Sequence, residues 1–315
     1  MKILICPLNW GLGHATRCVP IIHKYLSDKH EVVLAADGYP LEFLKLEFPE
    51  LETLELPSYP IRYSAGNSQI MAMARNLPTI LKGIYREHIW LRKLLKIDHF
   101  DLVISDNRFG LWTKQTNCIY MTHQLMIKMP KRLKILEPLA WWLHRQLINR
   151  YNKCWIPDYK ENGGLSGDLA HKYPLPGNSE FIGPLSRFLK PETYKPDFTF
   201  DVVAIVSGIE PQRTLFENQM VQRFAKSNEK TLILCGKPTA KNSRLKIGNI
   251  CFATHITDAE LAPYLMGAKK IIARSGYSTI MDLHALNSLE KAELIPTPGQ
   301  TEQEYLAGYQ TSSSN

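Results

Sequence analysis

The chain has 315 residues, enough for two domains of ordinary size that each bury a hydrophobic core. Hydrophobic residues make up 44% of the sequence and charged residues 22%, which excludes a disordered, collagen-like or coiled-coil protein. The formal net charge of +8 is concentrated between Arg75 and Lys153, where 15 basic and 5 acidic side chains lie among tryptophan, leucine and isoleucine residues. This segment is therefore a candidate basic and apolar surface.

The cysteines and the amino terminus indicate the cellular compartment. The six cysteines are far apart in the sequence, and none belongs to a C-x-x-C pair. They are Cys6, Cys18, Cys118, Cys154, Cys235 and Cys251. This usage is typical of reduced thiols in a protein core. The first apolar run is too short for a signal peptide, and no apolar run reaches about 18 residues, so we expect a cytoplasmic protein with no membrane span.

In the first half of the chain, apolar runs typical of buried strands alternate with amphipathic segments typical of helices. The predicted elements are, in chain order, a strand at Lys2–Leu8, a helix at Ala15–Leu26, a strand at Glu31–Ala36, a helix at Tyr39–Phe48, and strands at Asp101–Ser105 and Asn117–Met121. Strands that alternate with crossover helices form a parallel sheet. Two further helical segments, near Ile70–Leu95 and Pro130–Tyr151, contain most of the basic and apolar residues.

A proline-rich stretch that begins at Gly183 separates this half from a second series of strands and helices. The predicted elements there are a strand at Asp201–Val206, a helix at Gln212–Ala225, a strand at Thr231–Cys235, a helix at Asp258–Met266, a strand at Lys270–Ala273, a helix at Thr279–Leu286 and a strand at Ala292–Ile295. We expect the residues from Thr311 onward to be frayed. The pattern predicts an α/β protein of two Rossmann-like domains in tandem, with parallel sheets and a cleft between them. The predicted boundaries are residues 1–183 and 201–315, joined by a linker at 184–200.

A glycine-containing loop, Asn9-Trp-Gly11-Leu-Gly13-His14-Ala-Thr-Arg17, connects the first strand to the first helix. Glycines at such a turn let backbone N–H groups approach an anion at the positive end of the helix dipole. The loop is not a dinucleotide fingerprint, because Thr16 occupies the position of the third glycine, and only Asp37 fits that motif. A tight turn with no ligand is the alternative interpretation.

Polar residues at the ends of the first-half strands are candidates for catalysis. An imidazole such as His14, placed above the carboxyl edge of the sheet, can accept a proton from a hydroxyl group near neutral pH. Ser105-Asp106-Asn107-Arg108 and Thr122-His123-Gln124 follow two later strands and converge on the same edge. The alternatives are that His14 only caps the helix or lies in the loop, and that Asp106 is a buried carboxylate paired with Arg108.

The sequence offers no pattern for a metal or a bound cofactor. The histidines are scattered, no H-x-x-x-H occurs, and no Asp-x-Asp pair is present to hold a divalent cation. We therefore expect a mechanism that needs no metal and no cofactor.

The second half contains a polar motif that follows a predicted strand and begins a helix, Arg274-Ser275-Gly276-Tyr-Ser278-Thr279-Ile-Met-Asp282. A helix start that carries glycine and serine suits a pyrophosphate, with Ser278 or Thr279 as the helix cap, and a carboxylate one turn later can accept hydrogen bonds from a ribose diol. Ser207-Gly208 provides a second anion-binding loop. Gln300, Glu302 and Gln303 place amide and carboxylate groups at another strand end, where sugar hydroxyls find partners. Taken singly, each motif can also be an ordinary turn or capping box.

Together these motifs resemble those of the GT-B glycosyltransferases, over nearly the whole chain. The resemblance is to the branch of the peptidoglycan lipid-linked N-acetylglucosaminyltransferase, whose C-terminal domain is of the glycosyltransferase family 28 type. Gly11-Leu-Gly13-His14 resembles the acceptor-side loop of that branch, and the segments at Asp106 and His123 resemble motifs of the same domain. The segment from Arg274 to Asp282 resembles the donor motif Arg-x-Gly-x-x-Thr-x-x-Glu, with aspartate in place of the final glutamate.

The resemblance implies a role for each matching residue. On the donor side, the diphosphate would be held by Ser207, Gly208, Ser275 and Gly276, the ribose by Asp282, and the donor sugar by Glu302 and Gln303. On the acceptor side, His14, or Asp106 through it, would take the proton of the acceptor hydroxyl. The family continues with helices beyond the Gln303 segment, so the resemblance also implies that this domain lacks its terminal helices.

The implied reaction is the inverting transfer of a hexose, UDP-linked and with UDP-N-acetylglucosamine as the first donor to consider, to a hydroxyl acceptor. The implied acceptor is lipid-linked and belongs to a cell-envelope polysaccharide, and the basic and apolar segments suit peripheral binding to the anionic inner face of the membrane. The alternative for these segments is ordinary amphipathic helices whose tryptophans pack into the core. The alternatives are an inactive nucleotide-sugar-binding protein and an NAD-type oxidoreductase. Nucleic-acid binding is not expected, because no binding motif accompanies the positive charge.

Overall fold

The computed structural model describes residues 1–57, 69–237 and 243–313. The described residues up to 181 form what we call the N-lobe, a sheet with flanking helices. Its elements are β1 (Lys2–Pro7), α1 (Gly13–Ser27), β2 (Glu31–Ala36), α2 (Gly38–Glu47), β3 (Glu52–Glu55), α3 (Gln69–Ile97), β4 (Leu102–Asp106), β5 (Asn117–Met121), α4 (Glu137–Ile148), β6 (Lys153–Ile156), α5 (Asp168–His171) and β7 (Ser179–Phe181).

The N-lobe sheet has the order β3-β2-β1-β4-β5-β6-β7, and all of its strand pairs are parallel. The central strands are buried on both faces because helices cover each side, which explains the apolar runs Ile3-Leu-Ile-Cys6 in β1 and Leu102-Val-Ile104 in β4. One apolar cluster lies between the sheet and helices α1 and α2, and a second lies on the opposite face. The parallel sheet places the carboxyl ends of β1, β4 and β5 at one edge.

Residues 202–313 form the C-lobe. Its elements are β8 (Val202–Ile205), α6 (Gln212–Phe224), β9 (Thr231–Leu234), β10 (Arg244–Ile247), β11 (Ile250–Ala253), α7 (Asp258–Gly267), β12 (Lys270–Arg274), α8 (Tyr277–Ala285), β13 (Ala292–Ile295) and α9 (Thr301–Ser313). The strand order is β10-β11-β9-β8-β12-β13. The residues of the predicted linker, 184–200, lie between the last strand of the first sheet and the first strand of the second.

The predicted α/β architecture with two Rossmann-like sheets is confirmed, with one correction. The C-lobe sheet is mixed rather than purely parallel, because β10 pairs with β11 in antiparallel register. The two strands form a hairpin whose turn contains Gly248 at φ 59°, a left-handed conformation that glycine adopts without strain. All four residues of β10 are exposed, so this strand lacks the apolar run on which the strand predictions rested. Strands β3, β6, β7 and β11 were not predicted either.

The last helix returns to the N-lobe. The Tyr309 hydroxyl donates to the carbonyl oxygen of Gly164 at 3.0 Å, and the Gln310 side-chain amide donates to that of Leu165 at 2.8 Å. Leu306 packs in an apolar cluster with Leu165 and with residues of α8. The expectation of a frayed end from Thr311 is wrong as far as Ser313, because α9 continues through these residues. The absence of further helices beyond this segment stays a prediction. Residues 314 and 315 lie outside the described part of the chain.

Two further sequence expectations concern the cysteines and the membrane. All six cysteines are free thiols, and five of them are buried. Among the described helices, none is both long enough and apolar enough to cross a bilayer.

Candidate active site

Asp106, at the carboxyl end of β4, is the centre of a buried polar cluster. Its carboxylate is fully buried and receives two hydrogen bonds from the Arg17 guanidinium. Arg17 Nε donates to Oδ2 at 2.8 Å, and Nη2 donates to Oδ1. This two-point geometry matches the planar fork of a guanidinium to a carboxylate. Arg17 itself is 2% exposed, so the ion pair is shielded from water.

His14 joins the same cluster because it lies three residues before Arg17, on the same face of α1. Its Nδ1 atom is 3.0 Å from Asp106 Oδ2 and 2.8 Å from Arg17 Nη2. A single ring nitrogen either donates or accepts, so the two contacts favour opposite tautomers. In the tautomer with the proton on Nδ1, the imidazole donates to Asp106, and Nε2 carries the basic lone pair. The side chain is 14% exposed, so it reaches the surface of the cluster.

Burial and charge set the protonation states of this pair. Burial raises the pKa of Asp106, but the charges of Arg17 and His14 outweigh that effect and hold the pKa below its ordinary value. Burial lowers the pKa of His14; Asp106 opposes this shift, and the positive charge of Arg17 adds to it. At neutral pH the cluster therefore contains an anionic Asp106 and an uncharged His14, which is the form that can accept a proton.

His123 links the cluster to the C-lobe. Arg17 Nη1 donates to His123 Nδ1 at 3.1 Å, so the ring proton is on Nε2, which donates to Glu302 Oε1 at 2.8 Å. The ring stacks on Tyr277 with centroids 4.1 Å apart and planes 6° from parallel. Burial raises the pKa of Glu302, but the hydrogen bond from His123 and the positive charge of Arg17 outweigh this effect and lower that pKa. A chain of polar contacts thus runs from His14 through Asp106, Arg17 and His123 to Glu302.

The predicted acceptor-side residues have different environments. His14, Asp106, Arg17 and His123 lie together, and the half-buried Gln124 follows with its backbone N–H bonded to the Thr122 hydroxyl at 3.1 Å. Glu302, which the resemblance placed on the donor sugar, also belongs to this cluster in the structure.

Arg108 is not a partner of Asp106. It is 1% exposed, and its guanidinium donates to Glu87 Oε1 at 2.8 Å, to Asp37 and to the carbonyl oxygen of Pro7 at 2.8 Å. The alternative interpretation that paired Asp106 with Arg108 is therefore wrong. Between the two lies Asn107 with φ 61°, and this left-handed residue turns the chain so that the flanking side chains contact different groups.

A cleft of about 300 Å³ lies between the lobes, beside this cluster. The N-lobe contributes residues 8–12, which include Gly11, together with Asp37, Tyr39 and Arg108. The C-lobe contributes residues 207–210, Arg213 and Gly236, so the predicted anion loop with Ser207 and Gly208 faces the cleft. His14 is not among the lining residues. His14, the candidate base, therefore lies outside the cleft. The loop that contains Gly11 and Gly13 runs from the cleft lining to His14.

The amino terminus of α8 contacts the amino terminus of α1. Gly276 is the residue before α8, and no side chain caps this end, so the predicted cap by Ser278 or Thr279 is wrong. Ser278 instead donates from Oγ to the carbonyl oxygen of Gly13 at 2.7 Å. A Cβ atom at Gly13 would lie 3.0 Å from that hydroxyl, whereas a Cβ atom at Gly276 would have open space around it. The half-buried Thr279 follows in the first turn.

Arg274 and Ser275 anchor the loop at residues 296–300 and the first turn of α9, in which Glu302 lies. Arg274 lies 4.0 Å from the centroid of the Phe216 ring and donates to the carbonyl oxygen of Pro296 at 2.9 Å; burial lowers its pKa to about 10. The Ser275 hydroxyl is fully buried and donates to the carbonyl oxygen of Gln303 at 2.8 Å. These side chains therefore hold the loop in place.

The same loop is closed by its own amide groups. Gln303 Oε1 accepts from the backbone N–H of Thr297 at 2.8 Å, and the N–H of Gln300 donates to the Thr297 carbonyl at 3.0 Å. The contact of Gln303 and Gln300 with a donor sugar stays a prediction.

Asp282 contacts the linker. Its Oδ1 atom accepts from the Ser186 hydroxyl at 2.8 Å and from the backbone N–H of Arg187 at 3.1 Å. Burial raises the pKa of Asp282, while the charge of Arg187 opposes this effect. Arg187 also contacts Asp258 at 3.1 Å, and burial raises the pKa of that carboxyl to about 6. A ribose bound at Asp282 would share the carboxylate with Ser186.

Several residues of the site had no signal in the sequence. Glu87 and Arg187 are single charged residues outside any motif, and Tyr277 lies inside the donor motif at a variable position. Among the residues that the structure describes, no group of three or more histidine, cysteine, aspartate or glutamate side chains is arranged to hold a metal ion.

Two Rossmann-like lobes that face each other across a cleft, with glycine loops from both lobes at its rim, define the GT-B fold of glycosyltransferases. Solved structures share it. The glycotransferase of kitacinnamycin superposes with a TM-score of 0.57 at 15% identity, covering 99% of this chain and 93% of that one. The glycosyltransferase SnogD from Streptomyces nogalater superposes with a TM-score of 0.55 at 14% identity, covering 98% and 84%. At these identities the structures show the fold alone.

Sequence comparison points to the same class. The chain is 25% identical to an uncharacterized glycosyltransferase of Methanosarcina acetivorans, over an alignment that covers 96% of this chain and 82% of that protein. No family model matches the chain. The fold and this relative together support a glycosyltransferase of the GT-B type.

Proposed function

We propose that the chain transfers a hexose from a UDP-linked donor to a hydroxyl acceptor, with inversion at the anomeric carbon and without a metal ion. The observation that carries the proposal is the contact of His14 with the buried Asp106 at the carboxyl edge of the N-lobe sheet, 3.0 Å apart. Ligands of open α/β sheets bind at this edge.

His14 supplies the general base. With Nδ1 bonded to Asp106, Nε2 accepts the proton of the acceptor hydroxyl while that oxygen attacks the anomeric carbon from the face opposite UDP. The bond from the anomeric carbon to the phosphate oxygen breaks, and its electron pair leaves with UDP. The anionic Asp106 then stabilises the imidazolium that forms.

Backbone dipoles stabilise the leaving diphosphate. A Cβ atom at Gly276, before the first residue of α8, would meet no atom within 4 Å, and Gly208, with φ 112°, lines the cleft. N–H groups at a helix start and in a glycine loop act as fixed positive dipoles, which is the contribution a metal ion would otherwise make. In this proposal Asp282 holds the ribose and Glu302 the donor sugar, so donor binding must compete with the contact between Glu302 and His123.

The acceptor in this proposal is lipid-linked, because α4 and the turn before it expose a large apolar face. Trp142 is 49% exposed and Ile135 86%, with Leu136, Leu139 and Leu143 exposed beside them and Lys134 exposed nearby. Trp141, in contrast, stacks on Tyr173 with ring centroids 5.2 Å apart, so Trp141 is packed against a neighbour whereas Trp142 is exposed. Exposed aromatic and aliphatic groups beside lysines suit an anionic bilayer, where each basic residue contributes about 1 kcal/mol.

A panel of nucleotide sugars tests the reaction. Calorimetry and product analysis with UDP-, GDP- and dTDP-sugars, in Mg²⁺ and in EDTA, should give heat and turnover with a UDP-hexose in both buffers, and NMR of the product should show the opposite anomeric configuration. Heat without turnover for any hydroxyl acceptor would favour an inactive binding protein. Absence of heat with every sugar nucleotide would contradict the proposal.

A further inference from the structure

One guanidinium contacts three groups of the candidate site. Arg17 donates to both carboxylate oxygens of Asp106, and it lies 2.8 Å from His14 Nδ1 and 3.1 Å from His123 Nδ1. We propose that Arg17 is a positioning residue that fixes the orientation of both imidazoles, so that His14 presents Nε2 to the acceptor and His123 presents Nε2 to Glu302. This inference rests on the proposed role of His14 as the base.

The contacts of Arg17 determine the hydrogen positions on both rings. A guanidinium is always a donor, so its contact with His123 Nδ1 places the proton of that ring on Nε2, where Glu302 accepts it. At His14 the guanidinium and the carboxylate compete for the same ring nitrogen, because Nδ1 lies 2.8 Å from Arg17 Nη2 and 3.0 Å from Asp106 Oδ2. In this proposal the carboxylate takes the Nδ1 proton. Two hydrogen bonds hold the Asp106 carboxylate against the guanidinium, and Oδ2 then faces His14 Nδ1 at 3.0 Å. The anionic oxygen attracts the ring proton to Nδ1, which leaves the lone pair on Nε2.

A lysine at this position would keep the charge but not the geometry. Its ammonium group is a single point on a flexible stem, whereas the guanidinium has its N–H groups in one plane and meets Asp106 and His123 from different nitrogens. Arg17→Lys therefore separates the effect of charge from the effect of shape. Arg17→Gln removes the charge as well.

The charged groups that face His14 come from four elements. They are Arg17 on α1, Asp106 on β4, His123 after β5 and Glu302 on α9. The positive charge of Arg17 offsets the negative charge of Asp106, so the carboxylate stabilises a doubly protonated, cationic His14 less strongly. Loss of the Arg17 charge should therefore raise the proton affinity of His14.

Nitrogen NMR of the protein labelled with ¹⁵N-histidine tests the inference without any substrate. In the wild-type protein we expect His14 to carry its proton on Nδ1 and to titrate below its ordinary pKa of 6.5. In Arg17→Gln we expect the His14 midpoint to rise by about one pH unit, a tenfold gain in proton affinity. In Arg17→Lys we expect a midpoint near that of the wild type and a mixture of tautomers at His123.

His14→Asn assigns the His14 signal, and the 82% exposed His99 serves as an internal reference that should not change. A wild-type His14 with its proton on Nε2 overturns the inference even if neither Arg17 variant folds. An unchanged His14 midpoint in a folded Arg17→Gln, or a wild-type His123 tautomer in Arg17→Lys, also overturns it. If the NMR result is as expected but His14→Asn still transfers sugar, the proposed function fails while the positioning role of Arg17 stands.

Discussion

The hydroxyl of Ser278 donates a hydrogen bond to the carbonyl oxygen of Gly13 at 2.7 Å, and this bond joins the starts of α8 and α1 across the two lobes. Gly13 has no Cβ atom, and this allows the approach, because a Cβ atom there would lie 3.0 Å from Ser278 Oγ and 3.2 Å from Ser278 Cβ.

Gly13→Ala should therefore force the two helix starts apart. We expect the free energy of unfolding to fall by about 1 kcal/mol, as for other small insertions into packed sites. Urea unfolding measures the change. Gly177→Ala is the matched control, because a Cβ atom there meets nothing within 4 Å. An equal effect of the two substitutions would contradict the close-packed contact.

His14→Asn should abolish most of the transferase activity, since it removes the proposed base. General-base catalysis contributes about 10²–10⁴-fold, so kcat should fall by that factor while the Kd of the donor changes little. His99→Asn is the control, because His99 is an exposed histidine that also contacts an aspartate. Unchanged turnover in a folded His14→Asn preparation would remove His14 from the mechanism.

The hydrogen bond that His123 Nε2 donates to Glu302 should make stability depend on pH. The pKa of Glu302 is lowered in the folded protein from 4.5, so its contribution is fully present above that value and is lost as the pH falls through the folded pKa. Glu302→Gln removes this dependence. We expect the difference in unfolding free energy between the wild type and the variant to be larger at pH 7 than at pH 4. A difference that is the same at both pH values would contradict the pairing.

Arg108→Met should damage stability rather than catalysis. Removing one member of a buried ion pair typically costs about 3–5 kcal/mol, because the remaining charges stay buried, here those of Asp37 and Glu87. Thermal unfolding measures the loss, and the Kd of the donor in the surviving folded fraction checks whether the cleft is intact. A stable variant that no longer binds donor would instead make Arg108 a ligand-binding residue.

The apolar face of α4 should bind anionic vesicles. The double variant Leu139→Ser with Trp142→Ser should lose flotation with phosphatidylserine vesicles at low salt, and high salt should weaken binding of the wild type. Leu245→Ser with Ile247→Ser is the control, since those side chains are 58% and 60% exposed on β10, in the other lobe. Equal flotation of both double variants would rule out α4 as the membrane contact.

The sequence predicted the strands of both sheet centres well, because burial on both faces demands short apolar runs. The strands at Glu31–Ala36 and Asn117–Met121 have the predicted bounds. The edge strand at Ala292–Ile295 also has the predicted bounds, although its residues are only partly buried. Strand β10 was missed because exposure on both faces leaves no apolar signal. Helix α9 was missed because its helical pattern is weak and its order comes from N-lobe contacts far away in the sequence.

The candidate site was predicted less completely, for a geometric reason. The sequence identified His14, Asp106 and His123 as residues at one sheet edge, since parallel strands align their carboxyl ends. It did not identify which arginine meets Asp106. That choice depends on the direction of each side chain, and the left-handed Asn107 sends Arg108 to other partners.

Helix α9 belongs to the C-lobe by sequence but packs on residues 164–169 of the N-lobe. The two lobes are therefore connected twice, once through residues 184–200 and once through the turn at 296–300 before α9. Any separation of the lobes must therefore either bend both connections or break the hydrogen bonds of α9 with residues 164 and 165.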